Sequence, residues 1–71
     1  MNADLRIIRI REVEVLTALK RSTIYKKIST DETFPRPVPL SDSNSRGAPV
    51  GFVLSEILAW IESRIEMRES R

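Results

Sequence analysis

The sequence predicts a small α+β fold of three helices and a short β-ribbon, on three observations. Apolar residues recur at helical spacing over 12–19, 20–28 and 55–71. A β-branched stretch, "RIIRI" at 6–10, precedes them. All four prolines and both glycines fall within 29–52, where helix cannot persist. With 71 residues, the expectation is a single domain over 1–71 with one small core.

Taken in order, residues 6–10 read as a short edge strand, with Arg6 and Arg9 on opposite faces. "EVEVLTAL" (12–19) then changes period. Val13 and Leu16, with Val15 and Leu19 beside them, fit a short amphipathic helix, and Glu12 and Glu14 suit the positive end of its dipole. Arg11 ahead of it is a poor N-cap. "KRSTIYKKI" (20–28) sets Ile24 and Ile28 one turn apart, with Ser22 and Lys26 nearly opposite and Thr23 and Lys27 on the adjoining flank. So short a helix needs packing to persist, and Val13 and Leu16 are the expected partners of the two isoleucines.

Further on, "VPL" and "VGFV" flank the polar run "SDSNSRGAP", the pattern of a two-stranded ribbon with an exposed loop. Pro39 limits the first strand to edge pairing. The last segment, 55–71, has Ser55 as expected N-cap and an apolar stripe of Ile57, Leu58, Ile61 and Ile65, widened by Trp60 and Met67. Glu62, Glu66 and Glu69 run along one flank of this helix, and Arg64, Arg68 and Arg71 lie roughly opposite.

Composition narrows the chemistry. There is no cysteine and no histidine, which removes disulfides, thiolate zinc sites and the usual neutral-pH proton shuttle. The chain has neither a calcium-loop pattern nor a phosphate-cradling glycine loop, and its adjacent acids Asp31 and Glu32 point apart. An enzyme is not expected, nor is a small-molecule cofactor. No apolar run reaches the roughly 20 residues of a membrane helix, and the N-terminus lacks the pattern of a signal peptide. A soluble intracellular protein is the expectation.

Net charge is +2, and its distribution is uneven: residues 1–19 balance, 20–46 carry +3 and 47–71 carry −1. Four of nine residues in "KRSTIYKKI" are basic and none is acidic. Lysines on such a face neutralise phosphates and release counterions, giving affinity without sequence information. An arginine can bond guanine O6 and N7 together, so Arg21 is a candidate base reader, or else a partner of Glu12 or Glu14. Thr23 offers a hydroxyl and a methyl. Tyr25 is expected at the junction of helix and ribbon, with its hydroxyl within reach of a phosphate. Arg46, among Ser and Asn beside Gly47, is expected at a mobile loop tip, and Arg6, Arg9 and Arg36 are backbone candidates of lower rank.

Together "IRIREVEVLTALKRSTIYKKI", "FPRPVPL" and "GF" leading into "SEILAWIESRI" resemble the AlpA family, small phage and prophage DNA-binding regulators related to excisionases and to the MerR-type group. The resemblance covers about 5–65. It implies a winged helix-turn-helix, with the second helix (20–29) in the major groove and the wing (37–53) on the backbone. Carried over by position, it implies Arg21, Ser22, Thr23, Lys26 and Lys27 on the reading helix, Arg46 on the wing, and Val13, Leu16, Ile24, Ile28 and Trp60 in the core. It further implies activation of a prophage integrase gene or an excisionase-like role. The sequence departs from the family pattern at the turn, where Ala18 replaces the usual glycine, and at Lys20, where a serine usually opens the second helix. Either Lys20 begins that helix uncapped or Ser22 caps a later start.

The expected function is therefore sequence-specific binding of double-stranded DNA through Arg21, Ser22, Thr23, Tyr25, Lys26, Lys27 and Arg46, by a homo-oligomer on repeated sites. The alternative is a protein-interaction module using the apolar face of the C-terminal helix.

Overall fold

A computed structural model of the chain describes residues 5–69. The elements run β1 (Ile7–Ile8), α1 (Ile10–Thr17), α2 (Arg21–Thr30), β2 (Val38–Pro39), β3 (Val50–Val53) and α3 (Leu54–Glu69). This is the expected α+β fold, three helices with a small antiparallel sheet in the arrangement of a winged helix-turn-helix. Strand β3 is central in the order β1-β3-β2. Ile7 pairs with Val53 and Ile8 with Phe52 on one side, and Val38 pairs with Gly51 and Pro39 with Val50 on the other. Pro39 is thus on an edge, where its missing N–H costs no ladder bond.

Gly51 sits between both neighbours. A Cβ there would collide with the Ile7 side chain and press on the Ile8 carbonyl oxygen and Leu40. The central strand needs a glycine because two other chain segments close over it.

The core joins every helix to the sheet. Ile8, Val13, Ile24, Phe34, Phe52, Ile57 and Trp60 are buried, with Ile10, Leu19, Ile28, Leu54 and Ile61 packed around them. Phe34 meets Trp60 edge-on, with centroids 5.0 Å apart and planes at 72°, a geometry that adds about 0.5–1.5 kcal/mol to area burial. Phe34 thereby fastens the segment after α2 to α3.

Helix boundaries differ from the sequence expectation in informative ways. Helix α1 starts at Ile10, because Arg9 is extended and its carbonyl accepts from the Glu12 and Val13 N–H groups; no side chain caps it. Helix α2 starts at Arg21, with Lys20 in the cap position and no side-chain cap. Of the two starts open to the sequence, the uncapped one is realised. Helix α3 follows β3 without a loop, so Ser55 lies inside its first turn and not at the N-cap. The expected end of this helix at 70–71 lies outside the described residues.

Leu16, expected in the core, is instead 41% exposed, and Ile24 packs in the cluster with Val13. Helix α1 ends earlier than its apolar pattern implied, so Leu19 takes a partly buried place from beyond the helix. At the turn, Ala18 adopts φ +63°, the left-handed conformation that favours glycine. Its N–H bonds the Glu14 carbonyl at 2.8 Å. The Thr17 hydroxyl donates to the Val13 carbonyl at 2.7 Å and accepts from the Leu19 N–H at 3.2 Å. These bonds hold the turn in the shape that glycine would adopt without strain. No helix among the described residues is long and apolar enough to cross a membrane.

Candidate nucleic-acid interface

Helix α2 is anchored by Ile24, which has no exposed surface, and by the half-buried Ile28. One turn of periodicity then decides the outer face. Arg21, Ser22, Tyr25 and Lys26 are exposed, while Thr23 and Lys27 are half-buried at its flank. Because Lys20 is extended and lies ahead of the helix, the Ser22 hydroxyl is not spent on capping, and it has no hydrogen-bond partner among the described residues. The first turn of α2 carries no acidic residue.

Arg21 makes no ion pair with Glu12 or Glu14; its guanidinium stands 6.0 Å from the centroid of the Tyr25 ring, one turn on. Arg21 and Tyr25 therefore belong to one surface unit.

Lys26 and Lys27 part company. Lys26 is exposed. Lys27 folds back over Trp60, its ammonium 5.8 Å from the ring centroid, and Arg64 of α3 stands at the same 5.8 Å. The tryptophan thus attracts two cations, each contact worth about 0.5–1 kcal/mol. Its indole Nε1 is buried without a hydrogen-bond partner among the described residues. Trp60 is a core residue, as expected, and it also holds part of the basic face in place.

Arg36 donates to the Ile28 carbonyl. This closes an orphan acceptor near the C-terminus of α2 and explains a basic residue that sequence reading ranked as a minor backbone contact. Its place between Pro35 and Pro37, shortly after α2, is the sequence signal, and that does not specify a cap. At the same end, the Thr33 hydroxyl and N–H donate to the Asp31 carboxylate at 2.6 and 2.9 Å, and these bonds hold its pKa below the usual value.

The wing loop carries a run of short-range hydrogen bonds. The Ser45 N–H donates to the Ser43 hydroxyl at 3.1 Å, and the Ser43 N–H to the Ser41 hydroxyl at 3.2 Å. The Ala48 N–H then closes a turn on the Ser45 carbonyl at 3.1 Å, with Arg46 and Gly47 between. Gly47 has φ +87°, which turns of this kind demand at the third position. Arg46 is exposed on this turn. The serine spacing in "SDSNS" is the sequence signal, because each hydroxyl can bond a backbone group two residues away.

Between α2 and the wing lies a notch of about 190 Å³, lined by Arg9, Arg21 and Tyr25 and floored by Ile10 and the wing residues 47–50. The structure brings Arg21 and Tyr25 to this notch, Lys26 to the open face of α2, and Arg46 to the adjacent wing turn. Sequence reading gave Arg9 a low rank, since a strand over 6–10 would have isolated it. Strand β1 ends at Ile8 and α1 begins at Ile10, so Arg9 stands at the corner between them, beside Arg21 and Tyr25 of α2. Among the described residues no group of acids could hold a metal ion.

The sequence model of the family described as prophage CP4-57 regulatory protein (AlpA) matches residues 6–65. Over 64 residues the chain is 41% identical to uncharacterized protein ORF88 of enterobacteria phage P4. That match covers 90% of this chain and 66% of the phage protein, so the chain spans just under two thirds of that relative's length. No solved structure matches the chain significantly. The family match runs from β1 through α2 and the wing into α3, the same elements that build the fold and its basic face, and the chain belongs to the AlpA family of prophage regulatory proteins.

Proposed function

We propose that this chain is a double-stranded DNA-binding regulator of a phage or prophage, with α2 in the major groove and the wing (37–53) on the backbone beside it. The observation that carries this reading is the orientation of α2. Ile24 is fully buried, while Arg21, Ser22 and Lys26 stand free on the other side. With side chains an α-helix is about 10–12 Å across, and a B-form major groove about 12 Å wide admits it. Lys26, and Lys27 from its place over Trp60, neutralise phosphates. Arg21 reads a guanine edge, with Ser22 and Thr23 beside it. Arg46 reaches the backbone or the minor groove from the wing turn. The integrase-activator and excisionase-like roles belong to this same proposal, as does a site of action at the bacterial nucleoid.

The test is fluorescence anisotropy on a labelled duplex over a salt series. Neutralising about 4–6 phosphates gives a log–log slope of roughly −3 to −6. Replacing Lys26 and Lys27 together by alanine weakens all sequences alike, and Arg21→Ala flattens discrimination. A flat salt dependence, or binding unchanged without the two lysines, overturns the assignment of this face. A footprint over the prophage attachment site and integrase promoter then identifies the regulated element.

A second reading, association through the C-terminal helix, is favoured by one observation. Leu58, Ile65 and Met67 remain 42%, 45% and 53% exposed after folding, and Val15 and Leu16 on α1 remain 81% and 41% exposed. Leu16, Ile61 and Ile65 share a groove of about 360 Å³ between α1 and α3. Oligomers on repeated DNA sites would meet here. Sedimentation of the wild type and of Ile65→Ser with and without DNA checks this reading.

A further inference from the structure

The notch between α2 and the wing has the composition of an anion seat. Two guanidinium groups and a phenol line it, no acid does, and its floor is Ile10, Pro49 and Val50. The Arg9 and Arg21 side chains have no ion pair among the described residues. Three chain segments far apart in sequence converge there: the corner before α1, the start of α2 and the wing base. Apolar walls beneath paired cations focus their field outward.

Tyr25 is 44% exposed at the notch, one helical turn from Arg21 and 6.0 Å from its guanidinium by ring centroid. The Gly47 side of the notch is open, since a Cβ there would meet nothing within 4 Å.

We infer that this notch seats one backbone phosphate of the bound duplex, held by Arg9 and the Tyr25 hydroxyl, beside the place where Arg21 meets a base. Arg9 is a phosphate contact contributed from outside the helix-turn-helix. The inference rests on the DNA-binding reading above. It adds a residue from the β1–α1 corner to the interface and separates the roles of two arginines that share one notch. Phosphate contacts fix orientation and carry no sequence information. Losing Arg9 therefore lowers affinity for every sequence by one factor, while losing Arg21 narrows the gap between sequences.

The experiment measures salt-dependent anisotropy for the full chain on two labelled duplexes, one carrying the footprinted site and one random. Wild type is compared with Arg9→Ala, Arg9→Lys, Tyr25→Phe and the control Arg68→Ala, and circular dichroism confirms that each is folded. Arg9→Ala should reduce the magnitude of the slope by about 0.9, the value for one phosphate, with the ratio of affinities between duplexes unchanged. Arg9→Lys should restore the slope. Tyr25→Phe should cost about threefold to tenfold on both duplexes, as for one lost hydrogen bond, and Arg68→Ala should leave the slope unchanged. A wild-type slope of −3 to −6 that Arg9→Ala does not alter overturns the phosphate seat and leaves the DNA reading intact. An equal fall for Arg9→Ala and Arg68→Ala also overturns the seat, because bulk charge would then be the cause. A flat wild-type slope removes the DNA reading and the seat with it.

Discussion

Helix α2 and the outer half of α3 are both amphipathic by sequence, yet folding treats them in opposite ways. Helix α2 buries Ile24 completely and turns a face with Arg21, Ser22 and Lys26 to solvent. In α3, Ile57 and Trp60 are buried and Ile61 is half-buried, but every residue from Glu62 to Arg68 is exposed, including Ile65 and Met67. One helix hides its apolar side and leaves cations free. The other runs past the core with apolar side chains still uncovered. Exposed charge on a well-anchored helix serves a polar partner such as a phosphate backbone; exposed apolar surface on a projecting helix serves an apolar one.

The contrast is sharpest when one isoleucine is removed from each helix. Ile24→Ala should cost about 2–5 kcal/mol by opening a cavity in the core, seen as a large fall in the thermal midpoint. Ile65→Ser should change stability by no more than about 0.5 kcal/mol. Equal losses would mean that the end of α3 belongs to the core and the comparison fails.

A smaller effect, of opposite sign, is expected at the turn that aims α2. Ala18→Gly relieves a left-handed alanine at φ +63° and should stabilise the fold by about 1 kcal/mol in chemical denaturation. Destabilisation would mean that the bonds of Thr17 and the Ala18 N–H, and not the residue type, set the turn.

Next in size are the adjacent lysines. Lys27→Ala removes a cation from Trp60 and should cost about 0.5–1 kcal/mol of stability in addition to weakening the proposed DNA binding. Lys26→Ala should weaken binding alone, since its side chain is exposed and touches no ring. If both behave alike in thermal melts, the Trp60 contact contributes nothing.

The smallest effect is at the end of α2. The Asp31 pKa is lowered chiefly by the Thr33 hydroxyl, then by its N–H, so this carboxylate adds stability above its ordinary pKa. That contribution is lost as pH falls through the lowered value. Thr33→Ala should move the Asp31 carboxyl resonance back toward the ordinary carboxylate range in an NMR titration.

Much of this molecule is readable from local pattern. The three helices, the proline-limited edge strand and the inward turn of Ile24 follow from periodicity and from Pro and Gly placement. Exposure of Ser22 and Lys26 follows from the same wheel. What failed locally failed for tertiary reasons. Leu16 fits an apolar stripe, but it stays 41% exposed and lines a surface groove with Ile61 and Ile65 of α3. Ser55 is a good cap by type, yet β3 leads straight into α3 and leaves no cap position for it.

By itself, then, the sequence determined which side of α2 is basic, because a side chain's direction on a helix depends only on the 3.6-residue repeat. It also determined the family, through motifs that lie along most of the chain. Only the tertiary structure decided that Lys27 is drawn onto Trp60 while Lys26 is not, that Arg36 closes the end of α2, and that Arg9 stands across a notch from Arg21. Each of those depends on where a distant segment packs, and core packing sets that distance in a way no local spacing records.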